Sequence, residues 1–250
     1  MSLALVAWVA LGAALAGFVQ GLSGFAFSMV SLSVWAWTLD PQLGASLAIF
    51  GGWTGQVIAA FTQRRKPDKA LLRPFLLGGL CGVPLGLWLL PRLDVVLFKA
   101  ALGMLLVVWC PLMLASARLP RISSGGRWGD GMVGLAGGVM SGIGGLSGVV
   151  PTLWCTLRGF DRDAQRAVIQ NFNFAMLSVA LGLHVLSGHV TVAMLPLLAI
   201  VAAAVLVPVL LGARLYQGLS EVAFRRLVLG LLTASGIAIL ASALPDLLRR

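Results

Sequence analysis

The feature that most constrains this chain is how its apolar residues are distributed. They form ten runs, at 3–20, 25–38, 43–61, 71–90, 96–117, 129–142, 145–158, 165–187, 190–213 and 224–243, and the polar breaks between them reach only about a dozen residues. A helix needs ~20 apolar residues to cross a bilayer, and most of these runs have that length or close to it. Hydrophobic residues make up 59% of the chain and charged residues 10%, where a soluble domain carries roughly 25% charged. Period-2 alternation is absent, which argues against a barrel. The expected fold is an all-α polytopic membrane protein with no room for an extramembrane domain.

The net charge of +10 lies in short basic clusters between the apolar runs, where it encodes topology rather than nucleic-acid binding. Cys81, Cys110 and Cys155 lie in apolar runs without paired spacing, so neither a disulfide framework nor a metal site is expected, and they read as small buried hydrophobes. No cofactor motif is present. The first basic residue is Arg64, so the N-terminal run lacks the basic leader of a signal peptide and is expected to remain in the mature protein.

The tetrapeptide GLSG occurs at Gly21–Gly24 and at Gly145–Gly148, each time inside an apolar run. Around both copies the pattern is the same: an apolar arm, a Gly/Ser-rich break, then a shorter arm. Shifting the chain by 120 residues aligns Ala16, Gly17, Val19, Gly24 and Val30 with Ala136, Gly137, Val139, Gly144 and Val150. Pro84 and Pro208 take similar places later in each half, as do Phe98 and Phe224. Two structural repeats are expected, 1–120 and 127–250, each a broken or re-entrant helix pair followed by three transmembrane helices.

Charge orients them. If each broken pair counts as a single crossing, the basic residues divide almost evenly between the two faces. If each pair is a hairpin that enters and leaves on one side, one face holds all of the 18 Lys and Arg except Arg92, Lys99, Arg249 and Arg250. Cytoplasmic loops are enriched in Lys and Arg, so the hairpin arrangement is favoured. It places both termini outside, and its odd number of crossings per half makes the repeats inverted.

Irregular backbone at membrane depth survives only where protein or a water-filled cavity satisfies it. Gly24, Gly144 and Gly145, with Gly21 and Gly142, permit such breaks, and Ser23, Ser28, Ser141 and Ser147 add hydroxyls. A helix restarting after a break presents free N–H groups carrying about half a positive charge, which forms an anion site without a buried lysine. Close helix packing through the same glycines is the competing explanation. In AVIQNFNFAM, Gln170 and Asn173 share a helix face, with Asn171 about 100° away. Gln20 and Gln56, with Thr54, are first-half counterparts, Phe25 adjoins the first break, and Arg166 reads as an interfacial side chain able to meet an entering anion. His184 and His189 flank LSG and read as solvated loop histidines with a weak case for proton coupling. The tryptophans read as interfacial or lipid-facing.

The stretch GGVMSGIGGLSGVVPTL at 137–153 resembles the glycine-rich motif of the TauE/SafE sulfite exporter family, and GFVQGLSGFAFSMVSL at 17–32 resembles its first-half partner. Ser31 stands where Pro151 has its counterpart, and Gly24 is single where a pair is expected. The resemblance implies a permease, an exporter by family habit, for sulfite, sulfoacetate or related organosulfonates in a bacterial cytoplasmic membrane. It leaves proton coupling open and fixes no oligomeric state. Two other functions compete. A rhomboid-like protease would use Ser23 or Ser147 with His184, but no HxxxN stretch supplies oxyanion donors. An anion channel would need polarity spread along several helices, whereas here it is concentrated at the breaks.

Overall fold

A computed structural model of the protein describes residues 2–62, 68–116, 120–122, 124–215 and 221–248, with only the backbone described for residues 162 and 221–225. Among these residues ten α-helices follow one another: α1 Leu3–Ser23, α2 Phe27–Trp35, α3 Pro41–Thr62, α4 Lys69–Leu89, α5 Val95–Ala115, α6 Gly126–Gly144, α7 Val149–Leu157, α8 Arg162–Leu186, α9 Leu195–Leu215 and α10 Glu221–Leu248. No strand occurs among the described residues. Seven of the helices (α1, α3, α4, α5, α8, α9 and α10) are long and apolar enough to cross a membrane.

α6 is not among them, and neither are α2 and α7. α2 and α7 have nine residues each, or ~13.5 Å of helix, less than half a bilayer core. Both are shorter than the apolar runs that contain them, because the chain spends the first few residues of each second arm on the turn. The turns depend on left-handed glycines that cap the preceding helices: Gly24 at φ +85 after α1 and Gly145 at φ +73 after α6. The two GLSG copies are therefore not equivalent. The first ends on its left-handed glycine and the second begins with it, so Gly24 corresponds to Gly145 rather than to Gly144. Pro151 falls in the first turn of α7, where a missing N–H breaks no helical bond.

Each short helix folds back on its predecessor. At the far end of α2, the Trp35 indole N–H donates to the Trp8 carbonyl (3.2 Å), and near the end of α7, the Trp154 N–H donates to Asp130 Oδ1 (2.7 Å). Both broken segments are thus helical hairpins.

Interlocked glycines set the longest helix contacts. Gly78, Gly82 and Gly86 on α4 recur every four residues, as do Gly134, Gly138 and Gly142 on α6, and a Cβ at any of the six would strike the opposing helix's backbone. Gly21 and Gly212 make the same kind of approach between α1 and α9. For Gly21 and Gly142, then, the packing role is the one the structure supports. Along these seams Gly17 meets Val205 and Gly21 meets Val209, so α1 and α9 run the same way. α4 and α6 also run the same way: Gly78 meets Gly131, Gly82 meets Leu135 and Gly86 meets Val139. α5 and α10 run in opposite directions, since Gly103 meets Leu240 while Gly236 meets Leu106. α3 and α8 pack together between these pairs.

Four of the eight tryptophans donate indole hydrogen bonds between elements: Trp35 and Trp109 from buried positions, Trp53 and Trp154 from half-buried ones. Trp8, Trp37, Trp88 and Trp128 are exposed, as expected of an apolar-facing belt. Cys110 and Cys155 are buried, whereas Cys81 is exposed, and none is in a disulfide. Arg64, Arg65, Lys66, Arg118, Arg249 and Arg250, on which the charge count partly rests, lie outside the described residues.

Candidate functional site

A cavity of about 460 Å³ lies at the end of the bundle where α3, α5 and α9 finish and α8 and α10 begin. The tip of the first hairpin forms its floor: Gln20, Ser23, Gly24, Phe25 and Ala26 all line it. α3 contributes Gln56 and Thr62, α5 contributes Trp109 with Ser116 just past its end, α7 contributes Thr152 and Thr156, and α8 contributes Gln165, Arg166 and Gln170. Arg121, from the segment before α6, completes the polar wall. Among the described residues the lining includes two arginines and no Asp or Glu, so the field they create inside favours negative charge.

The first break is held by a reciprocal pair of amides. Gln20 Nε2 donates to the Gly52 carbonyl (2.9 Å), and Gln56 Nε2 donates to the Gly24 carbonyl (2.7 Å), each spanning 32 residues between α1 and α3. These bonds orient both amides and leave their oxygens without partners. Gln20 Oε1, Gln56 Oε1, Gln170 Oε1 and Thr152 Oγ1 are buried, unpaired polar atoms in residues of the wall. Each such atom costs roughly 1–3 kcal/mol. Ser23 accepts from the Phe25 and Ala26 N–H groups (3.4 and 3.3 Å) while donating to the Val19 carbonyl (2.8 Å). α2 starts with no side-chain cap, so its first-turn amides keep the partial positive charge of a helix N-terminus beside the cavity. The Arg166 guanidinium lies next to this tip: its Nε would be 4.0 Å from a Cβ at Gly24.

The second break meets the first but does not open onto the cavity. Ser28 Oγ donates to the Gly145 carbonyl (2.9 Å), and a Cβ at Gly148 would come within 2.9 Å of both Phe25 and Asn173. Ser147 Oγ donates to Asn173 Oδ1 (2.9 Å). Ser28, Ser141, Ser147 and Asn173 are buried in this contact. Trp109 ties the two tips together, with its ring edge-on to Phe25 (centroids 5.9 Å) and its N–H donated to the Val149 carbonyl (2.8 Å).

Of the residues the sequence singles out, Gln20, Ser23, Gly24, Phe25, Gln56, Arg166 and Gln170 converge on the cavity. Ser28, Ser141, Gly144, Gly145, Ser147 and Asn173 are at or beside the packed second tip, outside the lining. Asn171 turns away and donates to the Ala167 carbonyl on its own helix (2.8 Å), as Thr54 does to Phe50 (2.9 Å). Sequence reasoning missed Arg121, Thr152, Thr156, Gln165 and Trp109. Thr152 and Thr156 sit one turn apart on α7 and Gln165 bonds to Thr156 (3.0 Å), a spacing visible in the sequence, but Arg121 is in a loop and had no such signal.

His184 is not a loop residue: it is completely buried near the end of α8, with Nε2 2.9 Å from the Gly142 carbonyl. A protease dyad is not formed here, since Ser147 bonds to Asn173 and Ser23 to Val19, and neither bonds to His184. Among the described residues no cluster of three metal-ligating side chains occurs.

Seven helices long and apolar enough to cross a membrane, with two short hairpin arms folded back against them, define a multi-pass membrane protein whose cavity at the first break is lined by two arginines. The family profile described as Sulfite exporter TauE/SafE matches residues 9–239. The chain belongs to this family of membrane anion transporters. No curated protein and no solved structure matches it.

Proposed function

We propose that the protein is a secondary transporter that exports small sulfur-containing anions, such as sulfite, sulfoacetate or another organosulfonate, across a bacterial cytoplasmic membrane. The observation that carries this is the charge of the cavity: two arginines, no acid among the described residues, and the uncapped start of α2 surround a space at a helix break. Arg166, Arg121, the Thr152 hydroxyl and the α2 amides would hold the anionic head. The apolar side chains of Met29, Met113 and Ile169 in the same lining leave room for an organic tail. A pocket of this size matches small-molecule sites of a few hundred Å³.

The two halves, 1–120 and 127–250, act as inverted repeats. What supports this is that the packing of the helices maps onto itself when the halves are exchanged: α1 on α9 becomes α6 on α4, and α5 on α10 and α3 on α8 map onto themselves. Both hairpins return to the side they came from, and three spanning helices follow each. The basic loops then lie in the cytoplasm and both termini in the periplasm. The cavity opens toward the cytoplasm, and the closed second tip is its counterpart on the other side, so that rocking of the halves exposes the site alternately.

Reconstituted protein should be tested by uptake into proteoliposomes of sulfite, sulfate, sulfoacetate, sulfolactate and simple carboxylates. Saturable flux of a sulfur-containing anion, inhibited by the others but not by carboxylates, is expected. Equal flux of all anions without saturation would indicate a channel instead.

A further inference from the structure

The chain has only two histidines, His184 and His189, and the structure brings them together. Gly188, at φ +76, turns the chain after α8, and the His189 and Val190 N–H groups both donate to the His184 carbonyl (3.0 and 3.2 Å). The rings then lie 5.3 Å apart at 51°. His184 Nε2 faces the Gly142 carbonyl at 2.9 Å, so in the neutral ring Nε2 carries the hydrogen and Nδ1 keeps a bare lone pair. The Nδ1 atoms of His184 and His189 are both buried without a partner.

We propose that His184 and His189 form one proton-binding site that couples the second helix break to a proton gradient. A proton taken up at either Nδ1 lands on a buried nitrogen that otherwise has no partner, beside a second ring whose centroid is 5.3 Å away. On His184 it charges the ring, which strengthens its bond to Gly142. Gly142 lies in the last turn of α6, three residues before the left-handed Gly145, so protonation tightens α8 onto the hairpin at its tip. His189 is half-buried and connects the pair to solvent at the end of α8. Of the elements packed on α8, α3 contains no titratable residue but is preceded by Asp40, α6 contains none from Gly131 to Gly144, α7 carries the buried thiol of Cys155, and the second half of α4 carries only the exposed thiol of Cys81. Arg92, beyond α4, stacks on Trp88 at 3.6 Å. No third metal ligand joins the two rings among the described residues.

The coupling role rests on the transporter function proposed above, but the site itself can be tested without transport. In protein labelled with ¹⁵N-histidine, every imidazole signal belongs to this pair. Joint titration of both rings with uptake of one proton is expected, and H189Q should shift the His184 midpoint. Two independent titrations, or no protonation of His184 at any pH where the protein stays folded, would overturn the site. In proteoliposomes loaded with ³⁵S-sulfite, the ratio of gradient-driven flux to sulfite–sulfite exchange should fall about tenfold in H189Q. An unchanged ratio would overturn the coupling. If the rings titrate jointly but the wild-type protein exchanges no sulfite, the anion assignment fails while the proton site stands.

Discussion

Ser28 on α2 donates its hydroxyl hydrogen to the carbonyl of Gly145 across 2.9 Å and 117 residues of sequence. This bond joins the tips of two hairpins that belong to opposite halves of the chain, and it closes the second tip against the first. Ser28→Ala leaves the Gly145 carbonyl unpaired in a buried contact. A loss of ~1 kcal/mol is expected, read as a fall of about 2–4 °C in the unfolding midpoint in detergent for a chain of this size. An unaltered midpoint would show that the bond does not hold the tips together.

Arg166 and Arg121 supply the cavity's charge. Charge-assisted hydrogen bonds contribute roughly 1.5–3 kcal/mol, so Arg166→Gln should raise KM for the transported anion by about 10- to 100-fold. Arg121→Gln, farther from the break, should have a smaller effect. Both are measured by initial rates in proteoliposomes, and wild-type KM in both variants would remove the arginines from the site.

Glycines in different settings should respond differently. Gly138→Leu forces a side chain into the Gly79 backbone and should abolish monodisperse protein. Gly145→Leu strains a left-handed residue at the tip and should stop transport while the protein still inserts. Gly182, on α8 with no atom within 4 Å of an added Cβ, should accept alanine and gain up to about 1 kcal/mol. Yield, chromatographic profile and unfolding midpoint separate the three outcomes.

Asp130 closes the open end of the second hairpin, accepting from Trp154 at 2.7 Å and pairing with Arg158 at 3.5 Å. Asp130→Leu leaves the indole N–H without its partner and should destabilise by about 1–3 kcal/mol. Asp130→Asn keeps an acceptor and should cost less. Chemical unfolding of the two variants ranks them, and equal values would mean the carboxylate does not hold the hairpin.

In a Cys81→Ser background, which removes the exposed native thiol, cysteines at positions 69 and 191 should react with a membrane-impermeant maleimide from opposite sides. A cysteine at position 2 should match 191. Labelling of 69 and 191 from one side would contradict the hairpin arrangement and the inverted repeats built on it.

Much of this plan is legible in the chain because a bilayer forces it to be. Backbone polar groups cannot be left unpaired in lipid, so apolar length translates directly into helices, and the helical ranges of α3, α4 and α5 lie close to the apolar runs. Gly24 and Gly145 mark the breaks since only glycine adopts their φ at no steric cost. The turn itself was harder to place. It consumes residues that are as apolar as the helix that follows, so α2 and α7 came out shorter than expected and Gly24 paired with Gly145 rather than Gly144. Trp35 and Trp109 also ran against expectation by being buried, because hydropathy cannot distinguish an indole facing lipid from one donating across a helix contact.

The site divides the same way. One-dimensional pattern determined that polarity gathers at Gly24, at Gly145 and at the start of α8, for each lies within a few residues of chain. Only the tertiary structure decided that Arg121 and Thr152 join Gln20 and Arg166 around one cavity, and that Ser147 donates to Asn173 Oδ1 while Asn173 Nδ2 is left without a partner. Only it decided that His184 sits buried on Gly142 instead of in a loop. Those outcomes depend on which helix faces which, and that is fixed by interlocked glycine seams between segments more than fifty residues apart, a shape match that no local stretch of sequence encodes.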